Sequence, residues 1–446
     1  MNKEKLLPEN WFETKLEEIS NPVSTSGKKI KTKDALPFGK YPVIDQGISP
    51  ISGYVNDPSL LVPASIDKPI IIFGDHTRIV KYVTKDFVPG ADGTKLIRAK
   101  NEIDSKYLKY LIQQADIPDR GYSRHYQFLK SVNLPLAPKN EQRRIADKLD
   151  TVLTRVDAVQ NRLARITPLL KRFRQSVLAA ATSGRLTEDW RRLRGVDSNS
   201  FTSDQPPPEL SDLKIPSTWS WKSVKEISSK VTDGVHKKPN YLDKGIPFLN
   251  VSNLTAGIGI NFDKTKFISK EDHNEFCKRT KPEKDDILIS KDGTLGVVRR
   301  IQADTEFSIF VSLALVKPLD KMQSKYLEIA FSSPHLQIQM KGVGTGIQHI
   351  HLTDLRKDLI PLPPFEEQTE IVRRVEILLA YADRLEARLQ SAQTAAERLT
   401  PALLAKAFRG ELVPQDPNDE PATELLRRLR EAAPLQKKTR VLKARG

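Results

Sequence analysis

Cysteine is nearly absent from this 446-residue chain. Its single copy, Cys277, excludes an intramolecular disulfide and any zinc or iron–sulfur site that needs several cysteines. The chain also lacks an apolar run of about 18 residues, the length that crosses a membrane, and its polar N-terminus lacks the apolar core of a signal peptide. These absences predict an intracellular, cytoplasmic protein.

Motifs of catalysis are missing as well. The sequence contains neither a GxxxxGK[ST] phosphate loop nor an HExxH metal pair. The glycine-rich segment 342–346 lacks the strand–turn–helix setting of a dinucleotide site, and no clustered carboxylates accompany His349 and His351. We therefore predict a non-catalytic chain without a cofactor or metal of its own, and keep a self-contained enzyme as an alternative.

Positive charge, by contrast, is abundant. Lys and Arg number 72 against 56 Asp and Glu, which gives a net charge of +16. Such an excess predicts a polyanionic partner, and nucleic acid fits better than a membrane surface. A basic tail with solvated helix faces is the alternative, because the stretch Arg427–Arg445 is itself densely basic.

The chain is a tandem repeat with shared ends and different middles. PENWFETKLEEIS at Pro8–Ser20 matches PSTWSWKSVKEIS at Pro216–Ser228. The segment that leads from Leu134 into Glu141-Gln142 matches the one that leads from Ile360 into Glu367-Gln368. The second copy is longer between these matches. Two related globular blocks, each followed by a similar segment, are therefore predicted.

Those similar segments carry the 4,3 spacing of apolar residues that is typical of a coiled-coil seam. We predict two long helices that pair antiparallel within the chain, with pairing between two copies as the alternative. Gly184 and Gly410 lie where capping glycines are expected, whereas Pro168 and Pro401 leave a kink or a break open. The seam consists of Ile145, Leu149, Val152, Val156, Val159, Leu163, Ile166, Leu170, Phe173 and Val177 in the first copy, and of Ile371, Val375, Leu378, Ala382, Leu385, Leu389, Ala392, Ala396, Leu399 and Leu403 in the second.

The blocks are predicted to be irregular and of mixed α/β (α+β) class. Strands are expected at Ile70–Phe73, Ile287–Ser290 and Phe307–Lys317, and a Pro-rich linker separates the copies. The predicted order is first block 1–138, first long-helix region 139–194, linker 195–215, second block 216–364, second long-helix region 365–412 and basic tail 413–446.

Each block has three loops that mix Gly, Ser or Thr with basic residues. Lys and Arg neutralise phosphates, Gly-rich turns and hydroxyls bind them, and Arg, Gln and His can read base edges. We therefore predict DNA contacts, some to phosphates and fewer to bases. The candidates are Lys28, Lys29, Arg78, Arg120, Ser123, Arg124 and Gln127 in the first block, and His236, Lys237, Lys238, Ser290, Lys291, Thr294, Arg299, Arg300, Thr345, Gln348 and His349 in the second.

Four segments resemble the specificity (S) subunit of type I restriction–modification enzymes, in particular its enterobacterial subgroup. They are LPLAPKNEQRRIADKLDTVL at Leu134–Leu153, IPLPPFEEQTEIVRRVEILLAYAD at Ile360–Asp383, LLKRFRQSVLAAATSGRLTEDWR at Leu169–Arg191 and LLAKAFRGELV at Leu403–Val413. The duplicated arrangement covers nearly the whole chain. The wording of the first-block loops departs from that of the second-block loops.

The resemblance implies that each block is a target-recognition domain, which reads one half of a bipartite, asymmetric DNA sequence. The helices would space the half-sites and dock two methyltransferase (modification) subunits, with restriction subunits completing the complex. S-adenosylmethionine, ATP and Mg²⁺ would serve those partners, and this chain would be non-catalytic. A coiled-coil scaffold with two protein-binding heads is the alternative function.

Overall fold

A computed structural model describes residues 7–432 except 92, 122, 198–199, 264, 303, 321–322 and 345–347. The chain divides into two compact units, and each combines one globular block with parts of both long helices. The first unit runs up to Ala164 and resumes at Ser391; the second unit is Arg165–Gln390. Among the described residues, no helix is long and apolar enough to span a membrane.

In its described residues, the first block contains nine short strands and three α-helices. Strand β1 pairs antiparallel with β9 at the base of the block, β2-β8-β5-β6 form a four-stranded sheet, and β4-β3-β7 form a three-stranded sheet. The elements are β1 (Phe12–Thr14), α1 (Leu16–Ile19), β2 (Ser20–Pro22), β3 (Tyr41–Ile44), β4 (Gly53–Val55), β5 (Ile70–Gly74), β6 (Val80–Val83), β7 (Val88–Pro89), β8 (Thr94–Ala99), α2 (Ser105–Gln114), α3 (Tyr126–Ser131) and β9 (Leu134–Leu136).

The long helix α4 (Lys139–Thr182) follows, then the short α5 (Glu188–Arg192), and the second block then repeats the topology of the first. Its pair is β10-β18, its four-stranded sheet is β11-β17-β14-β15 and its three-stranded sheet is β13-β12-β16. The elements are β10 (Ser220–Ser223), β11 (Ser228–Asp233), β12 (Ile246–Leu249), α6 (Val251–Thr255), β13 (Lys266–Ile268), α7 (Lys270–Arg279), β14 (Ile287–Ser290), β15 (Val298–Arg300), β16 (Ser308–Ile309), β17 (Leu313–Pro318), α8 (Ser324–Ser332), α9 (Pro334–Gln337), α10 (Leu352–Leu355), β18 (Leu359–Leu362), α11 (Phe365–Ala407) and α12 (Ala422–Glu431).

The predicted strands at Ile70 and Ile287 are confirmed as the buried strands β5 and β14. The single strand predicted over Phe307–Lys317 is wrong, because the chain forms two strands there. The first, β16, pairs parallel with β12, whereas β17 pairs antiparallel with β14 in the other sheet. A turn between them moves the chain from one sheet to the next, and the continuous apolar composition hides that turn.

The long helices pair antiparallel within the chain, as the heptads predict. In the first unit, Ile145 and Leu149 near the start of α4 share a core with Leu404 and Ala407 at the end of α11. In the second unit, Val177 near the end of α4 shares a core with residues at the start of α11, Ile371 and Val375 among them. Neither Pro168 nor Pro401 interrupts its helix.

Burial along the seam is uneven. Ile145, Leu149 and Val156 are buried, as are Ile371, Val375 and Leu389. Val152, Leu163, Leu378 and Leu385 are only half-buried. Farther along, Val159 and Leu399 are each 45% exposed and Ile166 is 37% exposed. The heptads therefore identify the correct face, and buried seam positions alternate with partly exposed ones along both helices.

The capping glycines are confirmed. Gly184 and Gly410 adopt left-handed φ values of +81° and +75°, which a residue with a Cβ rarely adopts. Each also packs against the proline that opens its repeat. A Cβ would lie 2.5 Å from Pro216 at Gly184 and 2.3 Å from Pro8 at Gly410. The repeated Pro and Gly thus form one contact, made once in each unit.

A buried glutamate at the start of each long helix fastens it to its block. The indole Nε1 of Trp11 donates to Glu141 Oε2 at 2.9 Å, and that of Trp219 donates to Glu367 Oε2 at 2.8 Å. The remaining partners differ. Glu141 accepts a hydrogen bond from the Gln415 side chain, whereas Glu367 forms a buried ion pair with Arg191. The repeated Trp and Glu therefore have a structural role.

The region predicted as a basic tail contains an ordered, packed helix. Helix α12 buries Ala422, Leu425, Leu426 and Leu429 in the core of the first unit. Several of its cations are already ion-paired, as in the contact of Arg430 with Glu18. The densely basic composition concealed an amphipathic helix, since Leu residues recur at helical spacing among the arginines. Residues 433–446 lie outside the described part of the chain.

Asp358, just before β18, is half-buried, and its buried carboxyl oxygen Oδ2 has no hydrogen-bond partner among the described residues. Burial, with smaller contributions from Asp354 and Glu209, raises its pKa to about 7. The repeat alignment that pairs Leu134 with Ile360 pairs Asp358 with Val132, two residues before β9, so the fold does not require a carboxyl here. The charged form of Asp358 therefore opposes folding.

We expect Asp358→Asn to stabilise the second unit at pH 8 and to have little effect at pH 4. Folding raises this pKa from about 3.9 in the unfolded chain, so the stability that protonation supplies is complete below pH 4 and is lost as pH rises through 7. Partial solvent screening reduces the expected gain to about 1–2 kcal/mol. Urea denaturation across this pH range measures it, with Asp354→Asn at the exposed neighbour as the control. Parallel pH profiles of wild type and Asp358→Asn would contradict the prediction.

Candidate nucleic-acid interface

The structure brings the three predicted loops of the second block together at the ends of its strands. Lys291 Nζ lies 3.6 Å from Asp233 Oδ2 and 3.5 Å from Asp292 Oδ1. His349 Nδ1 lies 2.8 Å from the same Asp292 oxygen. Arg279 at the end of α7 pairs with Asp233 at 2.5 Å. Two carboxylates thus hold the basic side chains of several loops in one cluster.

Exposed polar groups surround that cluster. Lys237 and Lys238 are exposed on the loop after β11, where the ammonium of Lys238 lies 5.9 Å from the centre of the Tyr241 ring. His236 is exposed beside Asp233. Thr294 and Gln348 are also exposed, whereas Thr345 lies outside the described residues. This rim combines mobile cations with amide and hydroxyl groups, which suits contacts with phosphates and base edges.

Three candidates of the second block form hydrogen bonds or ion pairs within the block itself. Ser290 is buried, and its hydroxyl oxygen accepts the Val297 amide hydrogen at 2.9 Å. Arg300 pairs with Asp285 at 2.5 Å and lies near Glu328. Arg299 donates to backbone carbonyls, among them those of Gly257 and Gly259, and burial lowers its pKa. These side chains shape the loops, and their role in binding DNA stays a prediction.

In the first block, two of the three loops meet at Asp75. The buried carboxylate accepts the Tyr126 amide hydrogen at 2.8 Å and lies 3.4 Å from Lys95 Nζ. Its backbone carbonyl accepts the His125 amide hydrogen at 2.7 Å. The ring of His76 adds a contact, with Nδ1 at 3.1 Å from the Ser123 carbonyl. The loop after β5 and the loop before α3 therefore form one surface.

The basic candidates on this surface are partly engaged. Arg78, which has a left-handed φ of +58°, pairs with Asp119 at 2.6 Å. The guanidinium of Arg120 lies 5.1 Å from the centre of the Phe128 ring. Arg124 and Gln127 are exposed, while Ser123 is half-buried with its hydroxyl 3.3 Å from His125 Nε2. Arg124 and Gln127 are therefore the most available of these side chains.

The remaining first-block candidates lie on the loop after β2. Lys28 donates to the Leu61 carbonyl at 2.6 Å, so its ammonium is tied to the block. Lys29 is exposed. The loop then returns to the fold at Ile30, which bridges to Gly90. Lys29 is thus the more available of the two lysines.

One position at the centre of each loop cluster carries opposite charge in the two blocks. The residue after β5 is Asp75 and the residue after β14 is Lys291. Their amides donate to Gly93 and Ser312 at matching places before β8 and β17, and their carbonyls accept the amide hydrogens of His125 and Ile350. The same backbone frame therefore presents a carboxylate in one block and an ammonium in the other.

Sequence reasoning missed the acidic members of these clusters. Asp75, Asp233 and Asp292 were not predicted, because the candidates were cations and neutral polar side chains. Their signal was present in the sequence, since each ends or closely follows a strand. Among the described residues no group of His, Cys, Asp and Glu could hold a metal ion. The arrangement is suited to binding through charge and hydrogen bonds.

Comparisons with known proteins agree with this architecture. Residues 8–167 and 216–392 match the family described as the type I restriction modification DNA specificity domain. The two matches cover most of the chain, and each contains one globular block. The chain belongs to this family, which confirms the resemblance found in its sequence.

Relatives carry the same family description. The type I restriction enzyme EcoBI specificity subunit of Escherichia coli is 36% identical over 293 residues, 64% of this chain and 60% of that protein. The EcoKI specificity subunit of Escherichia coli K12 is 33% identical, over 64% of this chain and 58% of that protein. The EcoDI specificity subunit is 27% identical, over 92% of this chain and 90% of that protein. The chain thus matches about three fifths of the length of the first two relatives.

Solved structures share the fold. The HsdS subunit from Thermoanaerobacter tengcongensis aligns with a TM-score of 0.53 at 20% identity, over 91% of this chain and 98% of that one. A chain described in work on complex assembly of the type I R-M system aligns with a TM-score of 0.60 at 18% identity, over 91% of this chain and all of the other. Mixed blocks joined by two long helices are therefore a fold seen in solved proteins.

Proposed function

We propose that this chain is the DNA sequence-recognition subunit of a type I restriction–modification complex and that each block reads one half of a bipartite, asymmetric target. The observation that carries the proposal is the pair of loop clusters, alike in backbone and opposite in charge at Asp75 and Lys291. Asp75 and Lys291 are themselves engaged inside their clusters, so their opposite charges act by arranging the exposed polar side chains around them differently. Two blocks built in this way would select different bases.

The partners proposed for the long helices are two methyltransferase subunits, with restriction subunits in the full complex. The names of the relatives support this proposal, since each is a specificity subunit of a type I restriction enzyme. S-adenosylmethionine, ATP and Mg²⁺ belong to those partners in this proposal, and this chain contributes recognition without catalysis. Its proposed place is the cytoplasm, where the DNA is.

We expect the double substitution Lys237→Ala/Lys238→Ala to weaken binding to all duplexes alike. Both ammonium groups are exposed beside the loop cluster, and each lost phosphate contact lowers the slope of log K against log salt by about one. Gln348→Ala should instead relax the choice at one base pair, at a cost of about 1–3 kcal/mol for a bidentate contact. Titration of specific and random duplexes at several salt concentrations separates the two effects.

The control is Lys270→Ala/Lys278→Ala on α7, where both lysines are paired with glutamates. These substitutions also remove two charges from the second block but should leave the salt slope close to that of the wild type. Equal losses of DNA affinity in both double variants would mean that the effect comes from net charge alone, whichever lysines are removed. Methylome sequencing of cells that carry the system identifies the target, and a target without two separated halves would overturn the proposed function.

A further inference from the structure

Each block carries an isoleucine at the tip of a loop, almost completely in solvent. Ile48 is 90% exposed in the first block and Ile258 is 99% exposed in the second. Both follow a glycine and precede a small residue, in the sequences Gly47-Ile48-Ser49 and Gly257-Ile258-Gly259, which we call the isoleucine loops. A single exposed aliphatic residue is ordinary on a protein surface, so the repetition at one place in both blocks is the informative feature.

The two loops occupy the same place in the topology. The first follows β3 and the second follows β12 with its short helix α6. These strands are equivalent, because β3 pairs parallel with β7 and antiparallel with β4, and β12 does the same with β16 and β13. The loops differ in length, yet both end in the same exposed tip.

An equivalent cation braces each tip from the neighbouring sheet. Lys81 on β6 donates to the carbonyl of Ser49 at 2.6 Å. Arg299 on β15 donates to the carbonyls of Gly259 at 2.9 Å and Gly257 at 2.8 Å. In both blocks the bonded carbonyl belongs to the residue directly after the isoleucine. Register makes the cations equivalent, since Lys81 pairs with Ile72 of β5 and Arg299 with the matching Leu288 of β14.

These hydrogen bonds cost desolvation free energy, which a surface loop without such bonds does not incur. Burial lowers the pKa of both Lys81 and Arg299, which means that each cation gives up part of its hydration to hold the loop. These hydrogen bonds hold the backbone beside each isoleucine in place. The fold therefore leaves one aliphatic side chain exposed to water in each block. The small residues beside it allow a binding partner to approach the backbone closely.

The first isoleucine loop adjoins the candidate nucleic-acid interface. In the first block Gln46 lies two residues before Ile48; its side-chain Oε1 accepts the His76 amide hydrogen at 3.0 Å and its carbonyl accepts the Thr77 hydroxyl at 2.7 Å. In the second block Ile258 lines a cavity with Arg300, Ile301 and Gln302, toward the end of β15 that is farther from Lys291. The first tip is thus tied to the loops that carry the polar contacts, and the second is its equivalent in topology and in the cation that braces it.

We propose that Ile48 and Ile258 are wedges that press into the base stack of duplex DNA beside each half-site. The proposal rests on the proposed function and adds a mode of contact that the charged loops do not supply. A protein partner needs about 800 Å² of surface on each side, far more than one side chain offers. A base step accepts a single isoleucine, and wedges of this kind unstack the step and kink the duplex. The net charge of +16 favours a nucleic-acid partner.

The test uses the full chain assembled with its methyltransferase subunits, and duplexes that carry the methylome-defined target. 2-Aminopurine replaces adenine at one position at a time, away from the methylated base. We expect a bright, unstacked position beside each half-site. Ile48→Ser should remove the first signal and Ile258→Ser the second, each with about a tenfold loss of affinity. The salt slope should stay unchanged, because an apolar contact releases no counterions.

Ile66→Ser is the matched control. Ile66 is 82% exposed in the first block but lies on the loop that enters β5, at the other end of the strand from Asp75. It should change neither fluorescence nor affinity. Wild-type fluorescence and affinity in the Ile48 and Ile258 variants would overturn the wedge, and so would failure of these variants to assemble with methyltransferase subunits. A wild-type complex that shows no preference for the target duplex would instead contradict the proposed function.

Discussion

Glu367→Gln is expected to destabilise the second unit by about 3–5 kcal/mol. Its carboxylate accepts hydrogen bonds from the Arg191 guanidinium at 2.5 Å, the Thr187 hydroxyl at 2.7 Å and the Trp219 indole at 2.8 Å. The side chain of Arg191 is 6% exposed and that of Glu367 is fully buried. Neutralising the carboxylate leaves a buried cation without its counter-charge, which is among the most costly changes in a protein interior.

Glu141→Gln is the matched control, because the repeat places a glutamate at the same point in the first unit. Glu141 is held by the neutral side chains of Trp11 and Gln415, and burial raises its pKa. Its neutralisation relieves a desolvated charge, so we expect a loss of about 1 kcal/mol or less. Urea denaturation measures the free energy of unfolding of both variants. Hydrogen exchange of peptides from each unit shows which unit has lost stability. Equal losses in both units would show that the buried ion pair contributes nothing beyond the Trp–Glu contact.

The sequence predicts the repeated framework well, because each of its parts leaves a local signal. The Trp, the Pro-rich strand, the Glu-Gln pair and the terminal glycine recur in order, and heptad spacing identifies the buried face of each long helix. The antiparallel pairs β1·β9 and β10·β18 could be anticipated from the same matches, since both strands of each pair lie in the shared ends.

The loop clusters could be predicted only in part. Composition found the basic loops, but it could not tell an available cation such as Lys237 from an engaged one such as Arg299. That distinction depends on partners distant in sequence, for example the carbonyls of Gly257 and Gly259. The isoleucine loops were missed for a similar reason. Ile48 and Ile258 look like core residues in the sequence, and only strand register shows that the fold holds both outside.

The C-terminal helix illustrates the same limit. Charge density between Arg427 and Arg445 led to the prediction of a basic tail over 413–446, whereas α12 belongs to the core of the first unit. Its amide at Ala422 donates to the Asn10 carbonyl at 2.9 Å, and just before it Asp419 pairs with Arg144 of α4 at 2.5 Å. Arg428 adds a contact with Glu102 at 3.0 Å. The first block is therefore completed by residues from the far end of the chain.

Leu426→Ala is accordingly expected to destabilise the first unit by about 2–5 kcal/mol, the cost of emptying a buried leucine site. Leu426 is 1% exposed and packs in the same cluster as Trp11, Leu16 and Ile19. Hydrogen exchange should show faster exchange in α1 and β1, at the other end of the sequence, while peptides of the second block keep their protection.

Arg427→Ala is the control on the opposite face of α12, where the arginine pairs only with Glu424 and Glu431 of the same helix. Such exposed pairs contribute about 0.3–0.5 kcal/mol each, so protection should hardly change. In cells, Leu426→Ala should weaken methylation of the DNA target. The loss should come from recognition of the first half-site alone, because the second block keeps its own core. If exchange rose only within α12, the helix would be an appendage and the first block would be complete without it.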